Sequence, residues 1–150
     1  MVGQLGPRYQ ENCRMAFTST QKIRFDDVDG AGIVYYPQFF HLCHKAFEDY
    51  FDDLAGVSYP QLIKEMRRGF PAVAIESTFV SPLTYGDVAI VSLVVEKVGI
   101  SSARFHYQIH RRHDSQLCFE AHITKVFMDL DSRKSEQLPD EIRILFEGMS

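Results

Sequence analysis

The feature that most constrains this chain is a long amphipathic pattern that begins at Pro37. Apolar side chains recur after it at three- and four-residue spacing, which predicts a helix with a wide apolar stripe. Proline is favoured in the first turn of a helix because its missing N–H is not needed there, and Gly56 suits the left-handed cap that ends one. The predicted helix runs to about Ala55. The stripe consists of Phe39, Phe40, Leu42, Cys43, Ala46, Phe47, Tyr50, Phe51 and Leu54.

Four runs rich in β-branched and aromatic residues follow the helix, and short turn segments separate them. One more strand is predicted before the helix, at residues 17–25. Two short helices are predicted at residues 59–68, closed by Gly69, and at residues 139–146. This order predicts an α+β fold in which a curved, five-stranded antiparallel sheet wraps around the long helix. Short connections predict that the four runs form a meander, at residues 72–80, 87–98, 103–112 and 117–128.

Composition indicates one domain with a sizeable core. The chain has 150 residues, 45% of them hydrophobic, and a chain of this length buries roughly 68–70% of its unfolded surface. We expect residues 1–16 to be a loose extension and residues 17–150 a single domain. A net charge of −4 argues against nucleic acid and anionic membranes, which require clustered Lys and Arg.

The cysteines and the apolar runs indicate the cellular compartment of the protein. Cys13, Cys43 and Cys118 are odd in number and form no C-x-x-C pattern, so they are expected to be reduced, hydrophobic side chains. Neither a signal peptide nor a membrane span is predicted. A cytoplasmic location follows as an expectation.

The predicted sheet indicates self-association. The run at residues 88–95 is apolar on both faces, which places it near the middle of the sheet or at a subunit contact. A five-stranded open sheet also leaves unpaired edges, and pairing two sheets into one removes an edge from each. A homodimer or a homotetramer is therefore expected.

A turn just before the long helix carries the candidate catalytic residue, Asp29. Free N–H groups and the positive end of the helix dipole favour anionic oxygen at this position. The apolar neighbours Ala31, Ile33 and Val34 would remove water from a carboxylate and make it a stronger base or nucleophile. An Asp followed by Gly30 is also typical of a turn former whose side chain bonds its own backbone.

Other interpretations of this segment fail on spacing. A calcium loop that began at Asp27 would need oxygen ligands at Ala31 and Gln38. A dinucleotide-binding turn would need a third glycine where Tyr35 stands. The sequence contains no G-x-S-x-G turn of a serine hydrolase. Asp26 and Asp27 are expected to face the solvent.

No metal site is expected among the histidines. His41, His44 and Glu48 lie one turn apart along the helix, but no further ligand at standard spacing completes them. His106 and His110 alternate with apolar residues in a predicted strand, so they are expected to be solvated or at an interface.

The turn and helix start resemble the active-site segment of the 4-hydroxybenzoyl-CoA thioesterase and YbgC-type acyl-CoA thioesterase family, at Asp27-x-Asp29-x-Ala31-Gly32-Ile33-Val34-Tyr35-Tyr36-Pro37. A second part of the resemblance is Ser81-Pro82-x-x-Tyr85-Gly86-Asp87. The resemblance implies the hotdog fold and hydrolysis of an acyl-CoA thioester. It implies that Asp29 is the nucleophile or general base and that the backbone N–H of Tyr36 polarises the thioester carbonyl.

The resemblance also implies how the substrate is bound. Coenzyme A would be part of the substrate, no other cofactor would be needed, and active sites would lie at a dimer interface. The 4-hydroxybenzoyl-specific enzyme has a basic cluster where this chain has Gly-Ile-Ser-Ser at residues 99–102, so the acyl group stays open. The substrate-binding residues implied are Gly32, Ile33, Val34, Ser101, Ser102 and Arg104.

Two alternatives from other functional classes remain. A non-catalytic hotdog protein could bind acyl-CoA or acyl-carrier protein without turnover. A hotdog dehydratase would need a His beside the acid, and the segment at residues 25–37 contains none.

Overall fold

A computed structural model describes residues 16–148 of the chain. Residues 1–15, which include Cys13 and most of the predicted extension, lie outside the described part. None of the described helices is long and apolar enough to cross a membrane. The elements are β1 (Phe17–Lys22), a 3-10 turn (Phe25–Asp27), α1 (Tyr36–Leu54), α2 (Tyr59–Lys64), β2 (Arg68–Gly69), β3 (Ala72–Phe79), β4 (Val88–Val98), β5 (Ser102–Arg111), β6 (Gln116–Val126), β7 (Met128–Asp129) and α3 (Asp140–Glu147).

Five strands form one antiparallel sheet in the order β1-β4-β5-β6-β3. The predicted α+β hotdog fold is confirmed. Strands β4, β5 and β6 form the expected meander, but β3 pairs with β6 at the far edge, so the prediction of a four-strand meander is wrong. The reason lies in residues 80–87, which make no hairpin and instead cross the end of the sheet, where Val34 donates its N–H to the Leu83 carbonyl at 2.8 Å.

Helix α1 packs its apolar stripe against the inner face of the sheet. Phe47 and Tyr50 are fully buried in this core, and Gly56 takes the expected positive φ just after the helix. Leu54 is an exception, with 51% of its surface exposed. It is the last residue of α1 and lies beyond Phe51, the last α1 side chain with an aromatic partner in the core.

Two predicted boundaries were wrong. The first strand ends at Lys22 rather than residue 25, because Phe25 begins a 3-10 turn and is exposed. The helix at residues 59–68 is shorter, since Arg67 takes φ +53° and breaks it before Gly69, which belongs to β2.

Candidate active site

The turn before α1 is closed by its own backbone. Asp29 donates its N–H to the Ile33 carbonyl at 2.9 Å, and Gly32 donates to the Asp29 carbonyl at 3.0 Å. Gly32 has φ +80°, a left-handed conformation that favours glycine. These bonds and the conformation of Gly32 fix the shape of the turn.

The second segment of the resemblance, residues 81–87, supports this turn. Asp87 Oδ2 accepts the backbone N–H of Thr84 at 2.8 Å and its hydroxyl at 3.0 Å, and Gly86 has φ +94°. These bonds fix the position of Leu83, which is fully buried and holds Val34 through its carbonyl. The two segments that carry the resemblance thus meet in space.

Asp29 is a turn former as well as a candidate catalyst. Its Oδ1 accepts the Ala31 N–H at 2.8 Å, while Oδ2 makes no hydrogen bond to the described residues. Asp29, Ala31 and Ile33 are exposed in the single chain, and only Val34 is buried. One chain alone therefore does not provide the apolar enclosure that was predicted for the carboxylate.

The two other acids of the segment, Asp26 and Asp27, differ in their exposure to solvent. Asp26 is exposed, as predicted. Asp27 is only 6% exposed, so the prediction that it faces solvent is wrong. Its Oδ2 accepts the Arg24 N–H at 2.8 Å and its carbonyl accepts the Tyr35 N–H at 2.9 Å, which makes Asp27 a structural residue of the turn.

Helix α1 begins with a free donor. Its N-cap, Tyr35, supplies no side-chain acceptor, and a helix start without such an acceptor leaves its first N–H groups for a ligand. Pro37 has no N–H, and Gln38 donates to the Tyr35 carbonyl at 2.8 Å. Of the first three helical residues, Tyr36 therefore offers its N–H at the positive end of the helix dipole.

Asp29 and Tyr36 line the same cavity, which has a volume of about 490 Å³. Phe39 and Phe79 form an aromatic wall, with ring centroids 5.6 Å apart, and Phe39 also stacks on Phe119. Sequence reasoning missed Phe79, because it lies in a distant strand. The other lining residues are Ile33, Val34, Val80, Ser81 and Pro82.

The residues predicted to bind the nucleotide lie far from this cavity. Ser102 pairs with Val126 of β6, whereas the cavity lies near Phe119 of the same strand. Seven residues separate these two positions, a distance of about 23 Å along a strand. Arg104 donates to Glu96 at 2.8 Å on the outer face of the sheet. A single chain therefore does not bring Ser101, Ser102 and Arg104 to the cavity.

The remaining candidate residues are structural. Cys43 and Cys118 are free and fully buried, and burial raises the pKa of both thiols, which keeps them protonated and unreactive. His44 Nε2 lies 3.7 Å from Glu48 within α1.

Comparison with known proteins places the chain in a family. The family model of the thioesterase-like superfamily matches residues 23–146. The chain belongs to this superfamily. A 1,4-dihydroxy-2-naphthoyl-CoA hydrolase of Nostoc punctiforme is 30% identical over 129 residues, which cover 85% of this chain and 84% of that protein.

Solved structures agree with this assignment. The structure of a 1,4-dihydroxy-2-naphthoyl-CoA thioesterase from Synechocystis matches with a TM-score of 0.79 and 27% identity, over 87% of this chain and 95% of that one. A variant of 4-hydroxybenzoyl-CoA thioesterase, solved with 4-hydroxybenzoyl-CoA, matches with a TM-score of 0.78 and 25% identity, over 87% and 99%. The prediction that this chain is a thioesterase enzyme is confirmed.

Proposed function

We propose that this protein hydrolyses the thioester of an aromatic acyl-CoA to the free acid and coenzyme A. The observation that carries the proposal is that Asp29 and Tyr36, at the start of α1, line one apolar cavity. The aromatic wall of Phe39 and Phe79 suits a flat acyl group, since aromatic rings pack favourably against one another. The similar proteins named for 1,4-dihydroxy-2-naphthoyl-CoA and 4-hydroxybenzoyl-CoA support the same acyl class.

In the proposed reaction the thioester carbonyl oxygen accepts the Tyr36 N–H. A preorganised donor of this kind stabilises the developing oxyanion by about 2.7–4 kcal/mol. The Asp29 carboxylate either attacks the carbonyl carbon, forming a mixed anhydride that water then cleaves, or takes a proton from an attacking water. In both routes the C–S bond breaks, the thiolate leaves and is protonated, and the oxygen of one water molecule ends in the products. No cofactor takes part.

A second copy of the chain completes the proposed site. Within residues 16–148, strand β3 lies at an edge of the sheet and pairs on one side only, and its apolar side chains Ile75 and Phe79 are each 50% exposed. An edge of this kind is a template for pairing with another strand. We infer a homodimer in which the β3 strands of two copies pair antiparallel, covering the cavity and removing water from Asp29.

This pairing would also bring the residues that were predicted to bind the nucleotide to the cavity. Antiparallel pairing sets the Ala72 end of one β3 beside the Phe79 end of the other. Ala72 pairs with Lys125, next to the residue that pairs with Ser102, so the Ser102 end of each sheet approaches the other copy's cavity. From β3 to β5 is two strand spacings, about 10 Å. In this dimer Ser101, Ser102 and Arg104 of one copy would hold the coenzyme A of a substrate bound at the other.

The alternative expected from the sequence was a non-catalytic protein that binds acyl-CoA or acyl-carrier protein. The bond from the Ala31 N–H to Asp29 Oδ1 gives Asp29 a role in the turn whether or not it catalyses. A thiol-release assay separates the two functions, using 4-hydroxybenzoyl-CoA, 1,4-dihydroxy-2-naphthoyl-CoA, acetyl-CoA and palmitoyl-CoA, each with a blank without protein.

We expect turnover of both aromatic esters, with kcat/KM at least about tenfold above that for acetyl-CoA, the discrimination that an apolar pocket gives. Turnover of palmitoyl-CoA alone would contradict the aromatic acyl group. Binding of the esters, measured by calorimetry, without release of thiol would contradict hydrolysis and support the binding protein.

A further inference from the structure

The outer face of the sheet, opposite α1, carries a cluster of ionisable side chains that the proposed reaction does not use. His106 and His122 are directly paired across β5 and β6, and Glu120 precedes His122 by two residues on the same face. The two imidazole rings are parallel, with centroids 4.4 Å apart. We call these three residues the outer-face cluster.

The distances within the outer-face cluster are short. His106 Nε2 lies 2.6 Å from Glu120 Oε1, and His122 Nε2 lies 3.9 Å from the same oxygen. One ligand atom from each residue falls within 4.8 Å of the others. Two imidazole nitrogens and one carboxylate oxygen are the ligand types that Zn²⁺ prefers in three-ligand protein sites.

A metal ion would fit after small side-chain movements. Zinc lies about 2.0–2.2 Å from nitrogen and oxygen ligands, so tetrahedral ligand atoms are about 3.4 Å apart. The 3.9 Å separation is close to that value, whereas the 2.6 Å separation is a direct hydrogen bond that the ion would replace, and the parallel imidazole rings would have to tilt toward the ion. Side chains of His106, Glu120 and His122 are 18%, 32% and 29% exposed, so a metal ion can reach them from solvent without opening the core.

A further carboxylate is placed to orient His122. Glu96 Oε1 lies 2.7 Å from His122 Nδ1, although off the line of the ring N–H, so Nδ1 makes no well-aligned hydrogen bond. The other oxygen of Glu96 accepts from Arg104 Nε at 2.8 Å, which holds the carboxylate in place. A metal-ligating histidine commonly donates its second nitrogen to a carboxylate, and a small rotation of the His122 ring would align Nδ1 with Glu96.

The charges around the cluster favour a divalent cation. Glu96 and Glu120 contact the histidines, and Glu76 contacts Arg104 at 3.3 Å. Three carboxylates against one guanidinium give these four side chains a formal charge of two negative units. A divalent ion would balance that charge.

We propose that the outer-face cluster binds one divalent transition metal ion, with Zn²⁺ as the best match, through Nε2 of His106, Nε2 of His122 and Glu120 Oε1. The ion would join β5 to β6 on the face of the sheet opposite the Asp29 cavity. Its role is structural, so this proposal stands independently of the thioesterase reaction. The expectation that the chain has no metal site rested on His41, His44 and Glu48 and did not consider these three residues together.

Isothermal titration calorimetry with ZnCl₂ tests the site on the 150-residue chain, freed of metal with a chelator. We expect one equivalent of Zn²⁺ per chain. Replacing one of three ligands should weaken binding by at least about tenfold, so His122→Asn and Glu120→Gln should each do so. Matched controls are His113→Asn, an exposed histidine of the same hairpin, and Cys13→Ser, outside the described residues; both should bind within about twofold of wild type.

A spectroscopic measurement on the unmodified chain guards against a folding defect in the variants. Cobalt(II) added to wild-type protein should show the intense visible absorption of a tetrahedral ion, and excess ZnCl₂ should abolish it. The proposal is overturned if wild type binds less than half an equivalent of Zn²⁺, or if folded His122→Asn binds as tightly as wild type. It is also overturned if the Cys13→Ser control loses the binding.

Discussion

Lys125 is a charged side chain in the core, and replacing it with methionine should stabilise the protein. It lies on the inner face of β6, only 5% exposed, with its ammonium 3.7 Å from the centre of the Phe47 ring. Burial lowers the pKa of Lys125 from 10.5 to about 8, although Cys43 and Glu48 favour the charged form. Lys125→Met keeps an unbranched apolar chain, one atom shorter than that of lysine, and removes the charge.

The expected gain in the free energy of unfolding follows from the pKa of Lys125. Because the pKa of Lys125 is lower in the fold than in the unfolded chain, the unfolded chain binds more protons between about pH 8 and 10.5, and stability rises with pH across that window. One pKa unit corresponds to 1.36 kcal/mol, so the charge costs the fold about 3 kcal/mol at pH 7. The lost contact with Phe47 offsets up to about 2 kcal/mol of this. We expect Lys125→Met to be more stable than wild type by about 1–3 kcal/mol at pH 7.

Urea unfolding followed by circular dichroism, at equal protein concentration, measures this difference. The advantage of the variant should shrink by about 2 kcal/mol between pH 7 and 9.5, as wild-type Lys125 loses its proton. Burial also raises the pKa of Cys43 and Tyr107, which lowers stability as pH rises, but it does so in both proteins. The control Lys97→Met, at an exposed position of β4, should show no such pH dependence. A variant less stable than wild type at pH 7, or an advantage that does not change with pH, would refute the reasoning.

Three further predictions follow from the site and the core. Phe79→Ala removes one aromatic wall of the cavity and should lower kcat/KM for 4-hydroxybenzoyl-CoA by about tenfold, with a smaller effect on acetyl-CoA; equal losses in the thiol-release assay would contradict that role. Ile75→Lys places a charge on the β3 edge and should give a monomer by analytical ultracentrifugation, with thiol release lowered at least about tenfold; an active monomer would disprove the shared site. Since burial protects Cys43 and Cys118, at most one of the three thiols of the native chain should react rapidly with a disulfide reagent, and all three in urea; two fast native thiols would contradict the burial.

Helix α1 and the turn before it could be predicted because their signals are local. Pro37, the apolar stripe and Gly56 follow one another along the chain, and each acts through its own backbone or its nearest neighbours. Asp29 and Tyr36 are likewise seven residues apart. A short stretch of sequence therefore contains most of what places them together.

The strand partners could not be predicted in the same way. Alternation of side chains shows which residues share a face, but it does not show which strand lies beside which. The apolar run of β3 therefore suggested a hairpin with β4, whereas the structure pairs it with β6. Phe79 joined the cavity wall through that pairing, so no local signal could have identified it.

Contacts between side chains on different strands could not be predicted from the sequence either. Glu120 and His122 alternate within one strand, and this pattern is visible in the sequence. Their approach to His106 depends on the register of β5 against β6, and the orientation of His122 depends on Glu96 in β4. Lys125 is similar, since the sequence shows only one charge at an inner-face position and does not reveal the burial.

The central claim is that Asp29 performs the chemistry, and the kcat of thiol release from 4-hydroxybenzoyl-CoA by Asp29→Asn tests it most directly. Asparagine keeps an oxygen that can accept the Ala31 N–H, so the turn should be preserved and the variant should unfold at the wild-type temperature. We expect kcat to fall by about 10²–10⁴, while the matched control Asp26→Asn, an exposed acid of the same segment, stays within about twofold of wild type. Near-normal turnover by folded Asp29→Asn, or an equal loss in Asp26→Asn, would contradict the account.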